Sequence, residues 1–246
     1  MSIAEKLTTL AQNEQTIYNN VNTETQLLDE LQEIVDNLPE AGGGGSDATR
    51  YMKNLQYMYR YAEFPTGYEL DLTVADTSYA KDMISFAQAA TGLKSVKLSF
   101  LNKGTAVSAN YAFAGISSTA VDTLEVVDIS GMGCTFSSLA GTFQHQKVLR
   151  KIIGAIDLTG CINCNSAFYG CSALEEIEFK QGTIPKSIQF NNSPNLTATS
   201  IQSIIDGLAD LTGSTAQTLT LHATVGAKLT QTQKDAIAAK NWTLAY

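Results

Sequence analysis

Histidine is almost missing from this chain. Its 246 residues include two, His145 and His222, so any imidazole chemistry must use one of them. His145 lies in a polar loop, Phe143 to Lys147, without a serine or cysteine nucleophile motif, and His222 ends a predicted strand. Catalytic triads and histidine metal sites therefore lack their usual parts. Charge is sparse as well. Only 16% of residues are charged, and 16 basic side chains face 24 acidic ones, a formal charge of −8. Such a surface repels phosphate backbones and anionic lipid, which disfavours nucleic acid and membrane surfaces as partners. No stretch approaches the roughly 18 apolar residues of a membrane span, so no membrane insertion is expected. The opening residues Met1 to Lys6 lack the basic start, apolar run and cleavage site of a secretory signal. The expectation is a protein made and folded in a cytoplasm, with any export by another route.

Cysteine is limited to Cys134, Cys161, Cys164 and Cys171. Cys161 and Cys164 have C-x-x-C spacing, but a thioredoxin-like reading needs a strand-to-helix context and a zinc reading needs a second close pair or histidines. Buried, reduced cysteines packing as small hydrophobes are favoured over a metal site. Carboxylate pairs are equally unpromising. Glu175 and Glu176 point to opposite faces if extended. Asp206 and Asp210 read as a solvated helix face. Asp128 and Asp157 recur at equivalent positions, which suggests a structural task such as bonding a turn. The glycine run at 42–45 has no lysine–serine or helix after it and is not a phosphate loop. No catalytic, cofactor-binding or metal-binding residue is nominated, and no cofactor is expected.

What is present is a recurring register. Asn110 to Gly115 leads to Val127, Asp128 and Ile129. Gly141 to Phe143 leads to Ile156, Asp157 and Leu158. Ser166 to Gly170 leads to Ile177, Glu178 and Phe179. Each unit places a phenylalanine among small residues, then a leucine, then a short apolar–acidic–apolar strand. Repeats of roughly 20–30 residues imply stacked units, none able to bury its apolar face alone.

Three parts follow along the chain. Residues 1–39 read as a helical anchor with a heptad seam: Ile3, Leu7, Leu10, Ile17, Val21, Leu28, Leu31, Val35 and Leu38 recur at alternating steps of four and three. Glu14 and Glu24 interrupt the seam. Leu27 and Ile34 widen it, which favours a trimer over a dimer. Pro39 stops the helix. A self-associating coiled coil is favoured over a lone helix lying on a neighbouring protein. Residues 40–47 form a glycine-rich flexible linker. Residues 48–246 form the globular body. Arg50 to Tyr61 reads as a short capping helix, or alternatively as an aromatic binding patch. Strands are expected at Glu69 to Val74, Gly92 to Leu98, Ile184 to Phe190 and Thr218 to His222. Helices are expected from Ser200, capped by Thr199 or Ser200, and from Thr230, which has capping-box spacing with Gln233. Trp242 is expected to cover the last layer of core. The fold class is α+β: coiled-coil helix, linker, then a short irregular repeat solenoid with helical and strand caps.

The phenylalanine–leucine–strand units resemble leucine-rich repeats of the BspA-like type, found in bacterial surface proteins and bacteriophage structural proteins. The tail from Leu196 to Gly213, with Leu219 to Leu221, Lys228 to Thr230 and Asn241 to Leu244, looks like the C-terminal cap of such proteins. The opening Met1 to Glu14 resembles the start of tail-associated and other virion proteins of phages that infect gut bacteria. The resemblance implies a non-enzymatic phage structural protein located in the virion. Its helix would contact other virion proteins and form a homo-oligomer. Its repeat domain would bind a host-surface glycan or protein, or a virion subunit, in a fibre, baseplate or head-fibre position. A bacterial or prophage-encoded adhesin is the alternative, and a tail-associated glycan-degrading enzyme the less favoured one. The exposed strand face of the stack is the expected place for contacts.

Overall fold

The computed structural model describes residues 55–73, 82–99, 106–115 and 123–246, all within a unit spanning Tyr51–Tyr246. The heptad positions Ile3, Leu7, Leu10, Ile17, Val21, Leu28, Leu31, Val35 and Leu38 lie outside the described residues, and so does the linker at 40–47.

The body is built by one move repeated. The chain lays down a short strand, passes through loops, makes a run of tight turns, and returns to place the next strand beside the last. The strands β1 (Glu63–Asp71), β2 (Thr91–Lys97), β4 (Val126–Asp128), β6 (Lys151–Ile156) and β7 (Glu176–Phe179) form one sheet in that order, every pairing parallel. Between them β3 (Ala106–Ser108) and β5 (Thr135–Ser138) pair in a second, two-stranded sheet. Parallel pairing is forced by the topology, because each strand is reached only after a full circuit of the chain. In the large sheet Leu70, Val96, Val127 and Ile152 are register partners and all are buried. The leucines that precede β4, β6 and β7 (Leu124, Leu149 and Leu174) are buried too.

The turns form a ladder of their own. The N–H of Tyr57 donates to Ile84 O (3.0 Å), Ser85 to Asn110 O (2.8 Å), Tyr111 to Ala140 O (2.9 Å) and Gly141 to Asn165 O (2.9 Å). These bonds align Tyr57, Ser85, Tyr111, Gly141 and Ser166 in a column, and every member has positive φ. Four residues on, Tyr61, Ala89, Gly115, His145 and Gly170 align in the same way through bonds to Gln88, Ala114, Gln144 and Tyr169 carbonyls. Intervening N–H groups bond back inside their own turn, as Gln144 does to Gly141 and Gln146 to Phe143. Hydrogen bonds along the ladder thus alternate between holding the turn and holding the stack, which satisfies a non-helical backbone in a packed interior.

Phenylalanine fills the space between sheet and turns. Phe113 stacks on Phe143 (5.5 Å, 7°), Phe143 on Phe168 (5.5 Å, 12°) and Phe168 on Phe190 (4.8 Å, 17°). Phe86 meets Phe113 edge-to-face instead, at 5.8 Å and 76°. The cause is local. The turn ladder aligns Ala87, and not Phe86, with Phe113, so this coil has exchanged phenylalanine and alanine between adjacent positions. Cys164 aligns by the same bonds with Leu139 and is buried in the core, as are Cys134, Cys161 and Cys171.

The C-terminal end closes the stack. Helix α1 (Ala198–Gly207) covers β7, and its Ser200 and Ser203 hydroxyls accept the β7 N–H groups of Ile177 (3.0 Å) and Phe179 (2.9 Å). The Asn192 side chain accepts from Gly170 N–H (3.2 Å), the place taken in earlier turns by a carbonyl of the next coil. Beyond lies a three-stranded parallel sheet of β8 (Ile188–Phe190), β9 (Gln217–Leu221) and β10 (Trp242–Ala245) in the order β10-β9-β8. It is accompanied by the one-turn helix α2 (Ala223–Gly226) and by α3 (Gln231–Ala239), whose N-terminus carries the Thr230–Gln233 capping box. Lys240 reaches from the end of α3 to the carbonyls of Ile205, Asp206 and Leu208, the open C-terminal acceptors of α1. Trp242 is buried and donates to Ala209 O (2.9 Å).

Several sequence expectations need correction. The predicted cap over Arg50 to Tyr61 is not an α-helix in its described part. Residues 55–61 make successive turns, and the positive φ of Tyr57 and Tyr61 is incompatible with a right-handed helix. Leu55 and Tyr59 mimic helical spacing because a chain of turns also returns to the core at an interval of four residues, whereas Met58 is exposed. The strand expected over Ile184 to Phe190 begins only at Ile188, Ile184 making a lone bridge to Leu208. The N-cap of α1 is Thr197. Asp210 stands beyond that helix and shares no helix face with Asp206.

Candidate binding surfaces

Two long surfaces flank the phenylalanine core. On the strand face, outward side chains pair across coils: Lys94 with Glu69, Arg150 with Glu175, Lys151 with Glu176, and Lys180 with Asp157. Strand ends share a second device. Asp128 Oδ1 accepts from Ser130 N–H (2.9 Å), Asp157 from Thr159 N–H (2.9 Å), Asp71 from Thr73 N–H (2.8 Å) and Asp210 from Thr212 N–H (2.9 Å). The turn-bonding task expected for Asp128 and Asp157 is what the geometry shows, and Asp71 and Asp210 perform it as well. The shared signal is an aspartate, a leucine or isoleucine, then serine or threonine. Hydrogen bonds from the Thr73 and Thr212 side chains and N–H groups hold the Asp71 and Asp210 carboxyls below the usual range. Desolvation pushes Asp157 upward, but hydrogen bonds from Lys180 and Thr159 outweigh it and the carboxyl is held low.

The turn face is built differently. At its outward positions stand Tyr57, Arg60 and Tyr61 in one turn, Tyr111 in another, and His145 and Tyr169 further along. The four tyrosines are between 41% and 60% exposed. Arg60 lies over both neighbours, 5.3 Å from the Tyr57 ring centroid and 4.8 Å from that of Tyr61. The Tyr111 ring occupies the space a Cβ at Gly141 would need, so the glycine gives the ring its seat. A Cβ at Gly170 would come 3.1 Å from His145 Nδ1 and 3.2 Å from its Cα, a looser contact, and His145 meets Tyr169 edge-to-face at 5.3 Å.

Other candidate chemistry resolves into structure. Cys161 and Cys164 bring their sulfurs to 3.6 Å, both buried. The contact with Cys164 lowers the Cys161 thiol, and the same contact with burial raises Cys164. Burial pushes Cys134 up to about 11. The Cys171 thiol donates to Phe143 O (3.0 Å), the task that the Gln146 amide performs one coil earlier on Phe113 O (2.6 Å). Among the described residues no group of three or more His, Cys, Asp or Glu is placed to hold a metal ion. His222 caps α2, its Nδ1 accepting from Thr224 N–H (3.2 Å). A gap in the core among Met83, Phe113, Ile129 and Phe136 is apolar, and the Thr142 hydroxyl on its wall is bonded to Ala109 O (2.8 Å). No described helix is long and apolar enough to cross a membrane.

The composition of the turn face was open to sequence reasoning only in part. Tyr57 and Tyr61 belong to the aromatic run from Arg50 to Tyr61, while Tyr111, His145 and Tyr169 join them only once the register of the ladder is known. Compared with known proteins, the chain matches no protein-family model, no curated protein and no solved structure.

Proposed function

We propose that this chain is a bacteriophage structural protein. Residues 1–39 anchor it to other virion proteins as a homo-oligomer, and a short leucine-rich-repeat solenoid of the BspA-like type is displayed to bind a host surface or a neighbouring subunit. The work is adhesion, not catalysis. The observation that supports the reading is the stack itself: parallel strands and positive-φ turns in register around one phenylalanine column. Such a stack spreads side chains over long open surfaces, the geometry of a binding body. An oligomeric anchor multiplies weak individual contacts by avidity.

The test uses particles. Density-gradient-purified virions from cells expressing the gene should contain the chain by mass spectrometry, and the double variant Leu10→Glu, Leu31→Glu should leave the particle fraction. Recovery of the wild-type chain only as free protein would sink the virion assignment.

A further inference from the structure

The turn face carries an unusual choice of residues. Nine of the ten positions in its two columns have φ between +53° and +80°, a conformation that costs an ordinary side chain roughly 1–2 kcal/mol. Glycine, serine and alanine occupy the columns at Gly141, Ser166 and Ala89, yet Tyr57, Tyr61, Tyr111 and His145 stand at the equivalent positions. None of these four is buried, so packing alone does not explain them. Strain held at exposed positions points toward recognition.

The chemistry selects the ligand. The rings are seated: Tyr111 rests on Gly141, His145 meets Tyr169 edge-to-face, and Arg60 bridges Tyr57 and Tyr61. Seated aromatic rings are flat, pre-ordered platforms that lose little entropy on binding. Gln88 and Gln144 stand in the same columns as Arg60 and Tyr169 and add amide donors and acceptors. Flat π faces ringed by amides and hydroxyls suit a molecule with C–H faces and equatorial hydroxyls, which is a sugar. Charge narrows the choice. Residues 51–246 carry 15 acidic and 14 basic side chains, so the body holds no excess of positive charge, and the guanidinium on this face is engaged with two tyrosines. Acidic glycans are therefore disfavoured. Tyrosine and arginine also anchor protein interfaces, and an absence of retention on neutral glycans would point to that occupant instead. Tyr57 and Tyr111 lie two coils apart, about 10 Å at the usual inter-strand spacing. That span matches a short oligosaccharide laid along the stack.

We propose that the turn face, through Tyr57, Arg60, Tyr61, Tyr111, His145 and Tyr169, is a binding surface for neutral oligosaccharides. The inference rests on the reading of the body as a displayed binding module and sets the contacts on the turn face, where the sequence expectation had the strand face.

The experiment applies the full chain to a glass array of neutral hexose and N-acetylhexosamine oligosaccharides beside sialylated, sulfated and uronic-acid ones. Variants are Tyr111→Ala, Tyr169→Ala, their double, Tyr111→Phe, and the strand-face control Lys151→Ala. Circular dichroism and thermal melting verify folding. The expected result is retention on neutral glycans. Either single alanine should weaken it roughly two- to tenfold, the value of one aromatic contact. The double should abolish it, while Tyr111→Phe and Lys151→Ala retain it. No retention on neutral glycans, retention led by acidic ones, or loss with Lys151→Ala alone would each overturn the inference. Loss of glycan binding with the chain still in particles would sink this inference and spare the virion assignment. Glycan binding without particle association would do the reverse.

Discussion

The strand face and the turn face are made by the same coils, yet they manage their surfaces in opposite ways. On the strand face charges are paired from one coil to the next: Lys151 answers Glu176 and Lys180 answers Asp157. On the turn face Tyr57, Tyr61, Tyr111 and His145 stand at backbone positions that resist them, and the Tyr111 ring lies over Gly141. The first arrangement closes a surface toward its own neighbours, and the second keeps one prepared for something else. Repeat geometry alone does not decide which flank of a stack binds. The decision lies in the residues that depart from what the repeat needs.

The largest expected effect removes the core that both faces share. Phe168→Ala deletes a ring stacked between Phe143 and Phe190 and should cost about 3–5 kcal/mol by denaturant unfolding. Both faces should be lost in one transition; separate transitions would show that the two flanks are not one cooperative unit. Next, Ser200→Ala strips the acceptor from the buried Ile177 N–H and should cost about 1–3 kcal/mol, with hydrogen exchange rising at Ile177 before it rises in β4. Tyr111→Asn sharpens the contrast from the other side. Asparagine tolerates positive φ, so stability should hold or rise by about 0.5–1 kcal/mol while glycan retention falls. A clear loss of stability would mean that Tyr111 is kept for packing.

Acid should test the Asp157 contacts of the strand face. The Asp157 carboxyl is held below its ordinary 3.8, so the folded state binds that proton less readily than the unfolded chain. Its contribution is present above about pH 4 and is lost as pH falls through the folded value. Asp157→Asn should flatten the acid limb of the stability profile, and an unchanged limb would assign acid sensitivity elsewhere. The smallest effect belongs to Lys151→Ala. This pair is well exposed, and its removal should change stability by about 0.5 kcal/mol or less.

Much of the framework is legible in the sequence because its signals are local. Ile177 and Phe179 alternate with Glu176 and Glu178, the capping box at Thr230 follows its spacing, and Asp128 with Asp157 announces a turn by recurring. The turns at 55–61 read as a helix from the spacing of Tyr51, Leu55 and Met58, but Leu55 and Tyr59 face the core and Met58 does not. The positive-φ columns were hidden because tyrosine, alanine and histidine do not advertise that conformation as glycine does. The candidate surface depends on register, and register is a long-range property: Tyr111 and Gly141 are thirty positions apart and meet only after the coil between them has closed.

Ser200 and Ser203 give the stack a stopper. Because hydroxyls on a helix take the place of a further strand, growth at that end is chemically terminated whatever the number of interior coils. Duplicating a coil between β4 and β6 would leave the terminus untouched. The body can therefore change its reach in evolution, or in the hands of an engineer, by whole-unit insertion, with the closing helix carried along as a finished part.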